Sequence, residues 1–117
     1  ESLAEVLAAE EITTLWLTAA LFHLMVEHQL PALGGLKYLL AGGDVLSVSA
    51  VRRVLAECPK GRFINGYGPT ENTTFSCCYQ ALQLPEEATS VPIGRPISNT
   101  QVLVVDADLQ PVAPCMP

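Results

Sequence analysis

Three short apolar runs, separated by two stretches of helical period, constrain this 117-residue chain more than any other feature. Residues 12–17 (ITTLWL) are β-branched and apolar, which suits a strand. From Thr18 the spacing becomes helical, with Leu17, Leu21, Leu24 and His28 expected along one inner face. Pro31 and the pair Gly34 and Gly35 stop that helix. Residues 36–41 (LKYLLA) are almost continuously apolar, as expected of a strand covered on both faces, and Gly42, Gly43 and Asp44 end it abruptly. A second amphipathic helix follows, with Val51, Val54, Leu55 and Cys58 inward, Ser47 or Ser49 as cap and Pro59 at its close. Arg53 and Glu57 stand i,i+4 on it. Residues 62–65 (RFIN) supply a third strand. Strand–helix–strand–helix–strand implies right-handed crossovers and a parallel sheet with helices on its faces, an α/β fold.

The flanking segments are less patterned. Residues 2–10 are strong helix formers, with Ser2 as cap and Leu3, Val6 and Leu7 on one face. Residues 73–79 are expected to be a fourth extended piece, and 84–98 a long, Pro-rich, ordered loop. Residues 101–106 (QVLVVD) predict a strand that Ala107 and Asp108 turn back toward 109–112, a hairpin-like unit. There is no internal repeat. Both ends are expected to be cut points within a larger domain.

Charge and composition remove several function classes. The formal net charge is −6, and only Arg52 and Arg53 are adjacent basic residues. Binding to nucleic acid or an anionic membrane needs clustered Lys and Arg, so neither is expected as a partner. His23, Glu27 and His28 interrupt the longest apolar stretch before it reaches the ~20 residues of a membrane span. Cys77 and Cys78 are neighbours, without zinc-ligand spacing, and with Cys58 and Cys115 they fit the reduced thiols of a cytoplasmic protein.

In parallel sheets ligands bind beyond the carboxyl ends of the strands. Trp16, Leu17 and Thr18, then Gly42, Gly43 and Asp44, then residues 65–71 all fall at that edge and converge on one crevice. Gly42 and Gly43 lack Cβ atoms, so either a flat ligand or a packed side chain can come close. They form neither a dinucleotide fingerprint nor a phosphate-loop motif. In Gly66-Tyr67-Gly68-Pro69 two glycines leave both faces of an aromatic ring open. Thr70 and Glu71 then offer a hydroxyl and a carboxylate, suited to a phosphate oxygen and a magnesium ion. The same residues equally describe a tight turn around a core tyrosine. His23 and His28, five apart, lack the spacing of a shared metal site and read as packing residues.

The run NGYGPTE (65–71) resembles the N-x-Y-G-P-T-E core motif of adenylate-forming enzymes, specifically the amino-acid adenylation domains of nonribosomal peptide synthetases. ITTLWLTAALFHLMVEH (12–28), LKYLLAGGDVLS (36–47), VPIGRPISNTQVLVVD (91–106) and LQPVAP (109–114) resemble the same family in the same order. The resemblance implies a flavodoxin-like parallel sheet flanked by helices, over residues 1–100 of the large N-terminal subdomain. Residues 101–117 would be the first strands of the following β-subdomain, with Cys115 where the family often has Gly.

It also implies roles. Tyr67 would stack on the adenine of ATP, helped by Asn65 and the backbone near Gly43 and Gly66. Thr70 would hydrogen-bond the α-phosphate, and Glu71 would hold Mg2+. An amino acid and ATP would give aminoacyl-AMP and pyrophosphate, and the acyl group would then pass to phosphopantetheine on a peptidyl carrier protein. Trp16, Leu40, Gly42, Gly66, Thr74 and Phe75 match the side-chain pocket. They resemble its valine type, with Leu40 where Ile is common. Trp16 and Phe75 are expected to shorten that cavity, and the glycines to leave width for a β-branched side chain. One methylene is worth only ~1–3 kcal/mol, so isoleucine and leucine stay open. The family's phosphate loop, ammonium-binding and ribose-binding Asp and lid Lys are not in these residues, so the isolated chain is expected to be inactive. The alternatives are an acyl- or aryl-CoA ligase fragment and a non-catalytic flavodoxin-like binding module.

Overall fold

Ser2 opens the first helix, α1 (Leu3–Ala9), through a reciprocal capping box. Its hydroxyl accepts from the Glu5 N–H, and the Glu5 carboxylate accepts from its own N–H at 2.6 Å. In this computed structural model, which describes residues 2–112, the chain continues as β1 (Thr14–Thr18), α2 (Ala19–His28), β2 (Tyr38–Gly42), α3 (Val48–Glu57), β3 (Arg62–Tyr67), β4 (Cys77–Ala81) and β5 (Arg95–Pro96). The five strands form one sheet in sequential order. β1, β2 and β3 are parallel, whereas β4 and β5 run antiparallel, so the sheet is mixed rather than purely parallel. Only the first three strands are joined by helical crossovers. The short connection after β3 permits nothing but a reversal.

The pairing register sorts residues onto two faces. Leu15, Leu39, Phe63 and Ala81 lie in one row, and Leu17, Ala41, Asn65 and Tyr79 in the next row of the same face. Helices α2 and α3 cover that face, and Phe22 of α2 meets Phe63 with ring centroids 5.2 Å apart. Phe22, Leu33, Val51 and Phe63 are the largest fully enclosed side chains. The other face holds Trp16, Leu40, Ile64 and Gln80, then Thr18, Gly42, Gly66, Cys78 and Arg95. No described helix covers it, and Trp16 and Tyr38 are exposed there. The expectation of β2 covered on both faces therefore fails within this chain. Successive same-handed crossovers along β1–β2–β3, with no switch in strand order, put both helices on one side.

Three local expectations are also corrected. The inner face of α2 is Ala19, Phe22, Met25 and Val26, while Leu21 and Leu24 are exposed. The helical period holds, but its phase runs from Ala19 rather than from Leu17, which belongs to β1. Pro31, Gly34 and Gly35 do follow the end of α2, inside a 3-10 turn (Leu30–Gly35) that buries Leu30 and Leu33. The extended piece expected at 73–79 begins only at Cys77, because Thr73 and Thr74 have φ of 53° and 80°. Residues 101–106 form no strand. Val105 makes an isolated bridge to Pro111, and the Asp106 carboxylate accepts from Asp108 and Gln110 N–H at 2.9 Å each, so the hairpin-like bend is present without a ladder. The last expected residues, with Cys115, lie outside the described residues. Helix α3 agrees in detail: Ser47 caps it, Val51 and Val54 are buried, and Arg53 Nε meets Glu57 at 3.5 Å. No described helix is long and apolar enough to cross a membrane.

Candidate active site

The carboxyl ends of β1, β2 and β3 bring Thr18, Gly42 and Gly66 into one row at the edge of the sheet. A Cβ on Gly42 would lie 2.0 Å from the Gly66 carbonyl oxygen, so only glycine allows this spacing. The three expected segments do converge, and beyond them the surface opens into two adjoining clefts.

The larger cleft has a volume of about 550 Å³. Its floor is Asn65, Gly66, Tyr67 and Gly68, with Gly43, Asp44, Val45 and Leu46 on one side and Ser90, Val91, Pro92 and Ile93 on the other. Both walls are tied down. The buried Asn65 donates through Nδ2 to the Pro92 carbonyl at 2.8 Å. Arg52 on α3 donates to the carbonyls of Pro85 and Glu86 where that loop begins. On the other side His23 Nε2 accepts from the Ser47 N–H at 3.0 Å, which joins α2 to the segment entering α3. His23 is thus a tether at the rim. The Tyr67 side chain stays half exposed, with its ring available.

The smaller cleft, about 290 Å³, is lined by Trp16, Thr18, Gly43, Gly68, Thr70, Thr74 and Phe75. Gly43 and Gly68 line both clefts and form their common boundary. One wall is made by an unusual turn. A 3-10 turn (Thr70–Asn72) is followed by Thr73 and Thr74, both left-handed, before Phe75. Such backbone costs a β-branched residue on the order of 1–3 kcal/mol and is retained only where neighbours enforce it. Here Ser76 N–H donates to the Tyr67 carbonyl at 2.8 Å, Phe75 N–H to the Thr73 carbonyl at 3.1 Å, and Asn72 Nδ2 to Ser76 Oγ at 2.6 Å. Phe75 is thereby set over Gly66, whose Cβ would lie 2.2 Å from the ring, and against Trp16 at 6.3 Å between ring centroids. The glycines do not leave free width as expected. Phe75 occupies the space at Gly66, and backbone occupies it at Gly42.

Of the residues singled out from sequence, Trp16, Gly43, Thr70, Thr74 and Phe75 border the smaller cleft, and Gly43, Asn65, Gly66 and Tyr67 the larger. Leu40 and Gly42 border neither. Leu40 sits beside Trp16 in the sheet, and Gly42 contributes by its close approach to Gly66. Glu71 projects from the exposed side of the 3-10 turn next to Thr70. Among the described residues no group of three His, Cys, Asp or Glu is arranged to hold a metal. A lone carboxylate beside a hydroxyl fits magnesium in the mode where phosphates and water complete its shell. Sequence reasoning placed Thr18, Asp44 and Gly68 at the crevice without giving them a role, and it missed the walls 45–46 and 90–93. The only signal for the latter was the Pro-Ile-Gly spacing after Val91.

A third cleft, about 230 Å³, lies between Leu33, Leu36, Leu55, Pro59, Phe63 and Leu82, at the edge of the sheet where β3 begins. It is away from the carboxyl edge where such sheets bind ligands. Burial, with Glu57 adding, pushes the Cys58 thiol up, and burial, with Cys77 adding, does the same to Cys78. Both therefore stay protonated and poorly nucleophilic at neutral pH.

Comparison with known proteins agrees with this geometry. A family model described as AMP-binding enzyme matches residues 1–117. One of the linear gramicidin synthase subunits of Brevibacillus parabrevis is 57% identical over 112 residues, covering 96% of this chain and 1% of that protein. Another from the same synthase is 52% identical over 114 residues, or 95% of this chain and 2% of that protein. The chain thus spans a very small part of these relatives. Among solved structures, PA1221, an NRPS protein containing adenylation and PCP domains, superimposes with a TM-score of 0.84 at 42% identity, over 94% of this chain and 22% of that one. The N-terminal subdomain of Klebsiella oxytoca NpsA, in complex with 3-hydroxybenzoyl-AMSN, gives a TM-score of 0.83 at 28% identity, over 95% of this chain and 27% of that one.

Proposed function

The chain belongs to the AMP-binding enzyme family, and from that premise we propose that it is the substrate-selecting portion of a nonribosomal peptide synthetase adenylation domain, with L-valine as the amino acid. The observation that carries this reading is the pair of clefts that meet at Gly43 and Gly68, one floored by Tyr67 and the other bordered by Thr70, Trp16 and Phe75. A planar base lies on Tyr67 in the larger cleft. The apolar side chain of the amino acid enters the smaller one, and the reacting carboxylate and α-phosphate meet at the boundary.

There a carboxylate oxygen of the amino acid attacks the α-phosphorus of ATP. The new P–O bond forms as the bond to pyrophosphate breaks, giving aminoacyl-AMP. The Thr70 hydroxyl donates a hydrogen bond to a non-bridging phosphate oxygen, where charge develops. Glu71 would hold magnesium, which neutralises phosphate charge when bound. Asn65 and Gly66 hold the base from below, and Asn65 also fixes the Pro92 wall. Most of the acceleration is positioning, which two walls tied by Asn65, Arg52 and His23 can supply. The acyl group then passes to the phosphopantetheine thiol of a peptidyl carrier protein, in the cytoplasm. Residues 101–117 begin the following β-subdomain, a reading supported by the exposed Leu103 and Val104.

The test is amino-acid-dependent ATP–pyrophosphate exchange by a complete domain containing these residues, with a panel of side chains. Valine is expected to lead, followed by isoleucine. A preference for a bulky aromatic amino acid would sink the valine assignment. Thr70→Ala is expected to lower kcat by ~10²-fold, as loss of one oxyanion donor does. The 117-residue chain alone is expected to give no exchange.

A further inference from the structure

The two pocket glycines are not equivalent. At Gly42 a Cβ would strike the carbonyl of Gly66, 2.0 Å away, which is backbone held in the β2–β3 ladder. At Gly66 it would strike Cε1, Cδ1 and Cζ of Phe75 at 2.2, 2.5 and 2.7 Å, the far end of a side chain that is only partly buried. The first obstacle cannot yield without parting two strands. The second yields by rotation of one ring.

We propose that Gly66 is a positioning residue that selects the substrate through Phe75, so that residues 66 and 75 form one coupled unit setting the depth of the smaller cleft. This rests on the reading of that cleft as the amino-acid pocket. With glycine at 66 the ring lies down on the sheet between Gly66 and Trp16. Any side chain at 66 lifts the ring into the cleft or out of it. The left-handed Thr73 and Thr74, clamped by the Asn72–Ser76 and Ser76–Tyr67 hydrogen bonds, fix the backbone from which Phe75 departs. Ring rotation is thus the main freedom left.

The experiment is a double-mutant cycle in the complete adenylation domain: G66A, F75L and G66A/F75L, with G42A as the backbone-limited control. The readout is the ratio of kcat/KM for valine over leucine by pyrophosphate exchange, together with the thermal midpoint. G66A alone is expected to change that ratio by ~10-fold or more, the scale of one methylene in an apolar pocket. In the F75L background the same change is expected to move it less than about twofold, because no ring remains to displace. G42A should lower the thermal midpoint in both backgrounds alike. Equal effects of G66A with and without Phe75 would overturn the proposal. If the domain activates no amino acid, the functional reading fails but the coupling is still measured by melting. A midpoint loss from G66A that shrinks with F75L supports the coupling, and an unchanged loss refutes it.

Discussion

Leu17, Ala41 and Asn65 stand in one row of the sheet, and Thr18, Gly42 and Gly66 in the adjacent row, displaced by a single residue along each strand. The first row faces α2 and α3 and is buried, with Asn65 at its end reaching the larger cleft. The second row faces away from the helices, with Thr18 at the smaller cleft and Gly66 at the larger. Because side chains alternate along a strand, one residue of displacement separates the helix-covered core from the open face. Large apolar side chains fill the covered face. The carboxyl edge of the open face has small residues, where backbone must come within a few ångströms of a ligand or a ring.

This difference predicts that stability and selectivity respond to different faces. Phe63→Ala removes a fully enclosed ring from the covered face and is expected to cost about 3–5 kcal/mol, read from the denaturant midpoint of the complete domain. Trp16→Ala, two strands away on the open face, should shift that midpoint far less while changing amino-acid preference. If Trp16→Ala destabilises as much as Phe63→Ala, the division between faces is wrong.

Gly42→Ala comes next. It lies on the open face, yet its obstacle is the Gly66 carbonyl, so overpacking should cost about 1–3 kcal/mol. A neutral effect would mean that β2 and β3 separate more easily than their pairing suggests. Asn65→Ala probes the one polar residue of the covered row. It removes the hydrogen bond to the exposed Pro92 carbonyl, a loss of about 0.5–1.5 kcal/mol. Because Pro92 belongs to the wall of the larger cleft, the KM for ATP should rise more than that for the amino acid. Equal rises in both would remove the wall-holding role.

The division is partly legible in the sequence. The alternation of apolar runs and helical periods locates β1, α2, β2, α3 and β3, and the strand ends locate the crevice. Capping is legible at Ser2 and Ser47 because it depends on neighbours three residues away. What escapes the sequence is nonlocal. The phase of α2 depends on where β1 ends, and periodicity alone does not tell that Leu17 belongs to the strand. The path into the antiparallel β4 runs through Thr73 and Thr74 in left-handed backbone that their residue type disfavours. The wall 90–93 is brought to the site by the Asn65–Pro92 bond, across 27 positions of sequence, and by the pairing of β5 with β4. The space at Gly66 looks empty in sequence because its occupant, Phe75, comes from that same irregular turn.

The smallest effect expected is at the thiols, and it sharpens the comparison because Cys77 and Cys78 are consecutive in β4 and face opposite sides. Cys77 is buried on the same side of the strand as Ala81, and Cys78 lies partly open beside Gly66. Alkylation of the folded 117-residue chain should modify Cys78 before Cys77, and Cys78→Ala should change stability by less than about 0.5 kcal/mol. Burial raises the Cys78 thiol, so its labelling rate should keep climbing at pH values where an ordinary thiol has levelled off. Cys58, also raised by burial and by the adjacent Glu57, gives the corresponding stability effect. The folded chain keeps a proton that the unfolded chain releases first. Its contribution is complete at neutral pH and is lost as pH rises from the ordinary thiol range through the folded value. Cys58→Ala should remove that alkaline loss, seen as a flatter melting profile above neutral pH. Faster labelling of Cys77 than of Cys78 would place the covered face on the wrong side of β4.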